Sequence, residues 1–369
     1  MTLFPTRKFL QLNCFKIVML LVGSMQLAPA VLAKKTAQPV YQDPFDIAGG
    51  GAALTRASQD AVIFANPALM PWGSTIYRYS GYMPTVRYTP QSIAFGQALS
   101  TAETDEYIDL LFAGEEHVHA GVTGILSVIT KYFAMGVLHS SLVDLEANEH
   151  GSATGGPSVD FVNETYGGVA MSFAGMANSW FSYGMTTKYL VKTEPEVSVA
   201  VADRAGIEQL SDSSTLLDQY APGTGFGVDL GMLFFAQGRH VDYRLALKAD
   251  DVGGMGFTGE QEPFKQTFHV GNSITFHGTV HAIHLALDLR DVTDEYKEKP
   301  FKKVYTGVKL MLQNHLGFAL GLYHGIPSFG VRLDLWAVKL GITQYGVEMK
   351  SVIGEKRRNI SLVYLSLGW

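Results

Sequence analysis

Histidine pairs are the first feature of this chain that could do chemistry, because eleven histidines occur among its 369 residues. His281 and His284 are separated by an odd number of positions, so on a β-strand they point to opposite faces and cannot hold one metal ion. His117 and His119 share a face, but no third ligand is evident near them. The sequence therefore predicts no metal site and no bound cofactor.

Nucleophilic catalysis also lacks its usual patterns in this chain. There is no Gly-x-Ser-x-Gly elbow and no glycine-rich phosphate loop. His284 and Asp288 would share one strand face, yet no nucleophile accompanies them. The only cysteine, Cys14, lies within a predicted export signal, which removes disulfides, cysteine-ligated zinc and a cysteine nucleophile from the mature chain. We therefore expect that the protein is not an enzyme.

Charged side chains recur at alternate positions of apolar stretches, as they do from Val241 to Asp250, from His281 to Arg290 and from Lys303 to Gln313. Such charges would point into a barrel, where they could line a selective pore or form a salt-bridge network that fixes the wall. Their mixed signs favour mutual pairing, because an unpaired buried charge is costly. The charges assigned to this lumen network are Asp242, Arg244, Lys248, Asp250, Asp288, Arg290, Arg332 and Asp334.

Alternation with a period of two also predicts the elements that position these charges. The alternating stretches run for about 10 to 13 residues, whereas strands of soluble proteins average five or six. Very short connections alternate with long ones, as in bacterial outer-membrane barrels. The predicted strands are residues 90–99, 118–130, 132–144, 166–176, 179–193, 225–236, 240–250, 266–276, 280–290, 303–313, 316–324, 328–335, 338–346 and 359–368.

The predicted fold is therefore all-β: a transmembrane antiparallel β-barrel of about fourteen strands with an N-terminal luminal plug. A further strand candidate, Thr75–Met83, would make fifteen, unless one pair is merged or this piece belongs to the plug. Among the long loops, Thr104–Gly114 and Ile207–Tyr220 have patterns that suit short helices, and Asp291–Lys303 is expected to be solvated. A soluble sandwich also alternates, but its strands are shorter.

Composition agrees with a sheet that faces lipid on one side. Charged residues make up 17% of the chain, below the roughly 25% of soluble domains, and glycine and aromatic residues are frequent. The net charge of −6 argues against nucleic acid as a partner. The four tryptophans are expected in the aromatic girdles at the membrane surfaces. These residues are Trp72, Trp180, Trp336 and Trp369.

The two ends of the chain predict export and outer-membrane insertion. Arg7, Lys8 and the apolar stretch that follows are typical of a signal peptide, with cleavage after Ala33. The last strand alternates and ends at Trp369, which is typical of a closing barrel strand and predicts contact with the barrel-assembly machinery and outer-membrane lipid. We therefore divide the chain into a signal peptide (residues 1–33), a plug segment (34–73) and a barrel (74–369) in the outer membrane of a Gram-negative-type bacterium.

Residues Asp43–Pro71 do not alternate, and their motifs carry a family resemblance. A glycine cluster permits close backbone approach, and an Asn-Pro pair signals a turn. These motifs are Gly49-Gly50-Gly51, then Asp60-Ala61, then Phe64-Ala65-Asn66-Pro67-Ala68. The chain resembles the FadL-like outer-membrane transporters, whose N-terminal plug has the same order of motifs. It departs from them at Ala65, where relatives usually carry tyrosine or another polar or aromatic residue, and in its shorter length.

The resemblance implies passive uptake of a hydrophobic small molecule, such as a long-chain fatty acid, past a plug that must shift. It also implies a lateral opening in the wall, for which Gly271, Gly307 and Gly325–Pro327 are candidates, with ordinary barrel bends as the alternative. A second hypothesis is a non-conducting scaffold or secretion partner that binds proteins through its external loops. A nonspecific aqueous porin is disfavoured by the plug motifs.

Overall fold

A computed structural model describes residues 40–58, 61–73, 77–80, 85–99, 117–148, 158–194, 196–200, 221–259, 261–313, 315–348 and 357–368. The predicted signal peptide, Asp60, Trp369 and the helices expected at Thr104–Gly114 and Ile207–Tyr220 lie outside these residues. Within the described ranges, no helix is both long and apolar enough to cross a membrane.

Strands dominate the described part of the chain, and only short helices accompany them. The strands are β1 Tyr77–Ser80, β2 Thr85–Tyr88, β3 His117–Thr130, β4 Phe133–Asn148, β5 Ser158–Asn178, β6 Phe181–Thr193, β7 Glu196–Ala200, β8 Gly223–Gln237, β9 Val241–Asp250, β10 Thr267–His277, β11 His281–Leu289, β12 Val304–Leu312, β13 Leu316–Tyr323, β14 Ile326–Leu335, β15 Val338–Glu348 and β16 Arg357–Leu367. The helices are α1 Pro44–Ala48, α2 Val62–Ala65, α3 Pro90–Leu99 and the 3₁₀-helices Pro67–Trp72 and Pro300–Lys303.

The strands form one closed antiparallel barrel. Strands β1 and β2 both pair with β3, and β6 and β7 both pair with β5, so each of these two pairs occupies a single position in the wall. The sixteen described strands therefore fill fourteen positions, and β16 pairs with β2 to close the ring. This confirms the predicted fourteen-stranded barrel.

The first strand is not where the sequence pattern placed it. Residues 90–99 form helix α3, and the first position in the wall is occupied by β1 and β2. Thr89 and Pro90 explain the difference, because threonine is a good N-cap and proline suits the first turn of a helix. The Ser92 N–H lies 3.3 Å from Thr89 Oγ1, which accepts its hydrogen bond. The prediction of a strand at 90–99 was therefore wrong.

The two rims of the barrel differ as predicted. Tight turns join the strands at the rim that also holds the start of β1 and the end of β16, and the longer connections lie at the opposite rim. One connection at the long-loop rim is short, the two-residue turn His324–Gly325, in which both residues have positive φ angles of 51° and 76°. Both chain ends of a bacterial barrel lie at the periplasmic side, so the long-loop rim is the outer one.

The wall presents alternate residues to lipid and to the lumen. On β8, Phe226 and Leu230 are exposed on the outer face, whereas Asp229 and Leu233 are buried on the inner face. Exposed apolar residues recur in this way around the barrel, and Trp180 and Trp336 are exposed at the tight turns. An outer apolar band with aromatic residues at its edges suits a lipid-facing surface.

The wall has unequal height. Strand β5 contains 21 residues, while β13 contains 8. A membrane-crossing strand needs about 9–11 residues. The wall around β5 therefore rises well beyond the bilayer, whereas the wall around β13 barely spans it.

Candidate functional site

The described part of residues 40–73, which we call the N-terminal segment, packs against inward-facing residues of the wall. Asp43 caps α1 by accepting the Phe45 N–H at 2.8 Å, and Pro44 occupies the first helical position. Two apolar clusters anchor the segment, one around Ile63 and the other around Phe45, and each includes inward-facing residues of the wall. Ile63 is fully buried. The segment thus forms the core of the barrel interior.

The turn Gly49–Gly51 lies against two inward-facing glycines of the wall. Gly50 and Gly51 have φ angles of 74° and 73°, which favour glycine. Gly307 on β12 pairs with Gly321 on β13 beneath this turn. A methyl group added to Gly321 would lie 2.5 Å from the Gly50 Cα, and one added to Gly307 would lie 2.6 Å from the Gly49 carbonyl carbon. Backbone therefore packs directly on backbone here.

A second close contact surrounds the Asn-Pro corner of the motif. Asn66 is fully buried, and its side chain donates to the Leu54 carbonyl at 2.9 Å and accepts the Ala68 N–H at 3.0 Å. A methyl group added to Gly184 on β6 would lie 2.7 Å from the Pro67 carbonyl carbon. The motif is thus a folded corner that fits a glycine-lined part of the wall.

The remaining motif residues lie in the same cluster where the structure describes them. Phe64 is buried, and its ring lies 6.0 Å from that of Tyr41. Ala68 is fully buried, and its carbonyl accepts a hydrogen bond from Ser182 Oγ at 2.7 Å. Thr186 Oγ1 donates in the same way to the Ile63 carbonyl at 2.9 Å.

The predicted lumen charges mostly contact the N-terminal segment. Asp288 Oδ2 accepts the N–H groups of Ala53 and Leu54 at 2.7 and 3.0 Å. Arg290 donates from Nη2 to the Gly51 carbonyl at 2.7 Å, and its guanidinium lies 4.2 Å from the ring centre of Tyr305. These two charged groups therefore bind the backbone that follows the glycine turn.

Two further charges on β9 continue this contact. Arg244 donates to the Thr55 carbonyl at 3.2 Å. Lys248 donates to the Phe64 carbonyl at 2.5 Å and forms an ion pair with Asp250, also at 2.5 Å. A lysine at the end of α2 also suits the negative end of the helix dipole.

Only part of the predicted charge set pairs within itself. Besides the pair on β9, Arg332 and Asp334 lie 2.8 Å apart. Asp242 pairs instead with His277 at 2.7 Å, a partner that the sequence analysis did not include. The arrangement combines wall-internal pairs with bonds to the segment.

Several charged residues of the lumen were not predicted from the sequence. Lys309 forms an ion pair with Asp46 at 2.5 Å, and both groups are buried. Lys188 bridges Asp229 and Asp251, at 2.8 Å from each. Alternation places Lys188 and Lys309 on the inner face, so their inward direction could have been predicted from the sequence. Their partners could not, because these lie on strands or loops that are distant in sequence.

Two candidate sites for a wall opening have another structural role. Gly271 and Gly307 lie in uninterrupted ladders with both neighbouring strands. A methyl group added to Gly271 would lie 2.8 Å from the Leu54 Cβ. At these two positions the glycine therefore marks where the N-terminal segment touches the wall.

Trp72 corrects the prediction of a girdle position. It lies inside the barrel, where its Nε1 donates to Ser182 Oγ at 2.7 Å and its ring packs edge-on against Phe235 at 4.3 Å. Because Trp72 follows the Pro67 turn of the segment rather than a wall strand, it is carried into the lumen. The indole N–H of this half-buried tryptophan therefore has a hydrogen-bond partner.

Three ionisable groups outside the membrane-spanning strands have shifted pKa values. Burial lowers the pKa of Arg56 to about 10 and raises that of Asp251 to about 6. Burial, followed by the positive charges of Arg290 and Lys302, lowers the pKa of His324 to about 3. His324 is therefore neutral at physiological pH.

One cavity between the N-terminal segment and the wall is small. A cavity of about 20 Å³ is lined by Gln42, Phe64, Lys248, Asp250 and Arg290, among others. This volume holds about one water molecule. Among the described residues, no three histidine, aspartate or glutamate side chains are grouped to hold a metal ion.

Comparison with known proteins gives matches by structure. No family model and no curated protein matches the sequence. A ΔS2S3 mutant of the monoaromatic hydrocarbon channel TodX matches with a TM-score of 0.52 at 9% identity, over 90% of this chain and 99% of that chain. The Ralstonia pickettii toluene transporter TbuX matches with a TM-score of 0.50 at 8% identity, over 89% and 97% of the two chains. The chain therefore has the barrel fold of the FadL-like outer-membrane channels, the superfamily that its N-terminal motifs resemble.

Proposed function

We propose that this chain is an outer-membrane channel for passive uptake of hydrophobic small molecules, and that the N-terminal segment obstructs its lumen. The observation that carries the proposal is the way the segment is held. The contacts described between the segment and the wall are hydrogen bonds, an ion pair, glycine contacts and apolar packing, such as those of Asp288, Lys309 and Gly321, and no covalent bond is among them. Contacts of this kind can break and re-form one at a time.

The ligand class follows from the fold and from physical chemistry. A hydrophobic solute gains no transfer free energy on entering a water-filled pore, because its apolar surface stays hydrated there. TodX and TbuX carry monoaromatic hydrocarbons or toluene in their names. We infer that long-chain fatty acids and small aromatic hydrocarbons are the two ligand groups to test.

Further assignments accompany this proposal. The chain would lose residues 1–33 on export, with cleavage after Ala33, and residues 34–73 would form the plug. The plug motif would comprise Gly49–Gly51, Asp60, Phe64 and Asn66–Ala68. The final strand, which ends at Trp369, would engage the barrel-assembly machinery.

Uptake by cells with and without this gene tests the proposal. Labelled oleate and labelled toluene would be supplied separately, and binding would be measured on the purified barrel. Gene-dependent, saturable uptake of either compound supports the channel. Equal uptake of a hydrophilic sugar would instead indicate a nonspecific pore and contradict it.

A variant that lacks residues Gly49–Ala68 sharpens the test. We expect altered permeability with retained heat-modifiable migration on gels, which reports a folded barrel. Because the segment supplies much of the interior core, loss of folding would mean that its role is structural.

One observation favours the second candidate, a non-conducting scaffold. Strand β5 rises beyond the bilayer and pairs there with β4 and β7, which presents a sheet outside the membrane. A folded barrel with neither uptake nor ligand binding would support this candidate, and proteins held by the outer loops would then be sought.

A further inference from the structure

The loop between β9 and β10, residues 251–266, folds back across the inner face of the wall, and we call it the mouth loop. Gln261 lies over Gly223 of β8, where an added methyl group would come within 2.6 Å of the Gln261 Cγ. Phe264 reaches further, and its ring lies 6.0 Å from that of Tyr166 on β5. Gly223 and Tyr166 are both buried residues of the inner face. The mouth loop therefore lies inside the outer mouth of the lumen.

A buried lysine of β6 binds the mouth loop to the wall. Lys192 is fully buried, and its ammonium donates to the Glu262 carbonyl at 3.1 Å. The ring centres of Phe257 and Phe264 lie 5.5 and 5.3 Å from this ammonium, which also pairs with Glu194 at 2.5 Å. Aromatic faces attract a cation more strongly when water is excluded. Lys192 therefore holds both halves of the mouth loop at one point.

The mouth loop is joined to the wall through a pair of glycines. Gly253 and Gly254 are exposed and have φ angles of 84° and 80°, which favour glycine. Before them, the Val252 N–H donates to the Val228 carbonyl at 2.8 Å and stays with the wall. Small residues at the base of a loop commonly absorb the backbone change when the loop moves. The glycine pair is therefore the hinge that the backbone offers.

The part of the mouth loop beyond the hinge, residues 255–264, is held by contacts that can break and re-form. The Thr258 N–H donates to the Thr224 carbonyl at 2.9 Å, and the Thr224 N–H donates to Thr258 Oγ1 at 2.9 Å. Met255 is fully buried, and a methyl group added to Gly227 would lie 2.9 Å from its Sδ. The apolar underside of the loop thus packs directly on the wall.

The mouth loop lies on the outer side of the Asn-Pro corner. On β8, Gly227 meets Met255, whereas a methyl group added to Gly231 would lie 3.2 Å from the Asn66 Cγ. The four residues between these glycines span about 13 Å of strand. A solute that enters along the inner face of β8 therefore meets the mouth loop before it meets the corner.

We propose that the mouth loop is a lid that Lys192 holds shut over the inner faces of β6 and β8, and that it turns at Gly253 and Gly254 to admit a hydrophobic solute. The inference rests on the proposed function and adds an outer gate to it. Because the lid and the N-terminal segment occupy different lengths of β8, the lid can open while the segment stays in place.

Reaction of single cysteines with a membrane-impermeant maleimide tests the movement on whole cells, in the full chain with Cys14→Ser as background. Met255→Cys should react several-fold more slowly than Val252→Cys, because Met255 is buried and Val252 is 40% exposed. Lys192→Met should speed the reaction at 255 several-fold and leave that at 252 unchanged. Lys131→Met is the matched control, since this lysine also faces an aromatic ring, at 5.6 Å, but at the opposite rim. Equal rates at 255 and 252, or no effect of Lys192→Met, would overturn the lid.

A disulfide that holds the loop shut tests whether its closure stops uptake. Thr224→Cys with Thr258→Cys suits this purpose, because the two Oγ1 atoms lie 3.4 Å apart. Ser141→Cys with Thr165→Cys is the matched control on β4 and β5, where the side-chain oxygens lie 3.3 Å apart. Uptake of labelled toluene and labelled oleate should be several-fold slower with the oxidised lid pair than with the oxidised control pair, and dithiothreitol should restore it. Equal uptake with both oxidised pairs would overturn the lid.

The unmodified barrel separates the lid from the channel. If it takes up neither compound, the channel proposal fails, and the maleimide rates at 255 still decide whether the mouth loop opens. If it takes up either compound and the lid disulfide changes nothing, the lid fails and the channel proposal stands.

Discussion

Replacing Gly321 by alanine should release the glycine turn of the N-terminal segment while leaving the barrel closed. The new methyl group would lie 2.5 Å from the Gly50 Cα, about 1 Å inside ordinary contact. Overpacking of this kind costs about 1–3 kcal/mol. Displacement of the turn breaks the Gly50 N–H bond to Ser328 Oγ and the Ser328 bond to the Ala48 carbonyl, and this cost is the same with glycine or alanine at position 321.

We expect the N-terminal segment, rather than the wall, to move in response to the added methyl group. The overpacking of about 1–3 kcal/mol is present only while the turn is seated, so its relief is the net shift towards the displaced turn. Since each 1.4 kcal/mol is a factor of about ten, the displaced population should rise about tenfold or more. Gly321 keeps its pairing with Gly307 on β12. The barrel ladder itself is therefore expected to persist.

Hydrogen–deuterium exchange of the purified barrel measures this effect. Amides between Phe45 and Thr55 should lose protection by about tenfold or more, while those of β12 and β13 keep theirs. Gly167→Ala on β5 is the matched control, because a methyl group there meets no atom within 4 Å. If the Gly321→Ala segment stays as protected as in the control, the argument from backbone contact is refuted.

Three further predictions concern the polar contacts of the lumen and rim. Lys309→Met should lower the free energy of unfolding by about 3–5 kcal/mol, because the buried Asp46 carboxylate loses its ion-pair partner. Adding Asp46→Asn should restore most of that loss. Urea unfolding followed by gel migration measures both variants. Trp72→Phe should cost about 0.5–1.5 kcal/mol through the lost bond to Ser182, and an unchanged thermal midpoint would contradict this. His324 has a pKa of about 3 in the folded state, below its unfolded value near 6.5, so the unfolded chain binds the proton first as the pH falls. The free energy of unfolding should therefore fall as the pH drops from 6.5 towards 3, by at most about 1.4 kcal/mol per pH unit. Denaturation across this pH range should show a flatter profile in His324→Gln.

Local pattern was sufficient for the wall because a barrel strand repeats every two residues over its whole length. The stretches from Val241 to Asp250 and from His281 to Leu289 appear in the structure with almost the predicted bounds. The pattern failed at residues 90–99, where capping by Thr89 outweighed a weak alternation. It also failed for Trp72, whose position depends on the path of the segment rather than on strand periodicity.

The candidate site was predictable only as a set of residue types. The Asn66 motif and the inward charges could be identified from the sequence, but not the bonds that Asp288 and Arg290 make to the backbone of the segment. A charge on an inner face has many possible partners. Which one it meets depends on where the segment lies in the closed barrel.

The sequence by itself determined the barrel class, the inner and outer faces of most wall strands and the presence of a non-alternating N-terminal segment, because each follows from local periodicity or its absence. Its count of fourteen included residues 90–99, which form a helix. Tertiary structure alone decided how the segment packs. The contacts of Gly50 with Gly321, and of Asp46 with Lys309, join residues more than 250 positions apart. No local pattern encodes such contacts, since they exist only once the ring has closed around the segment.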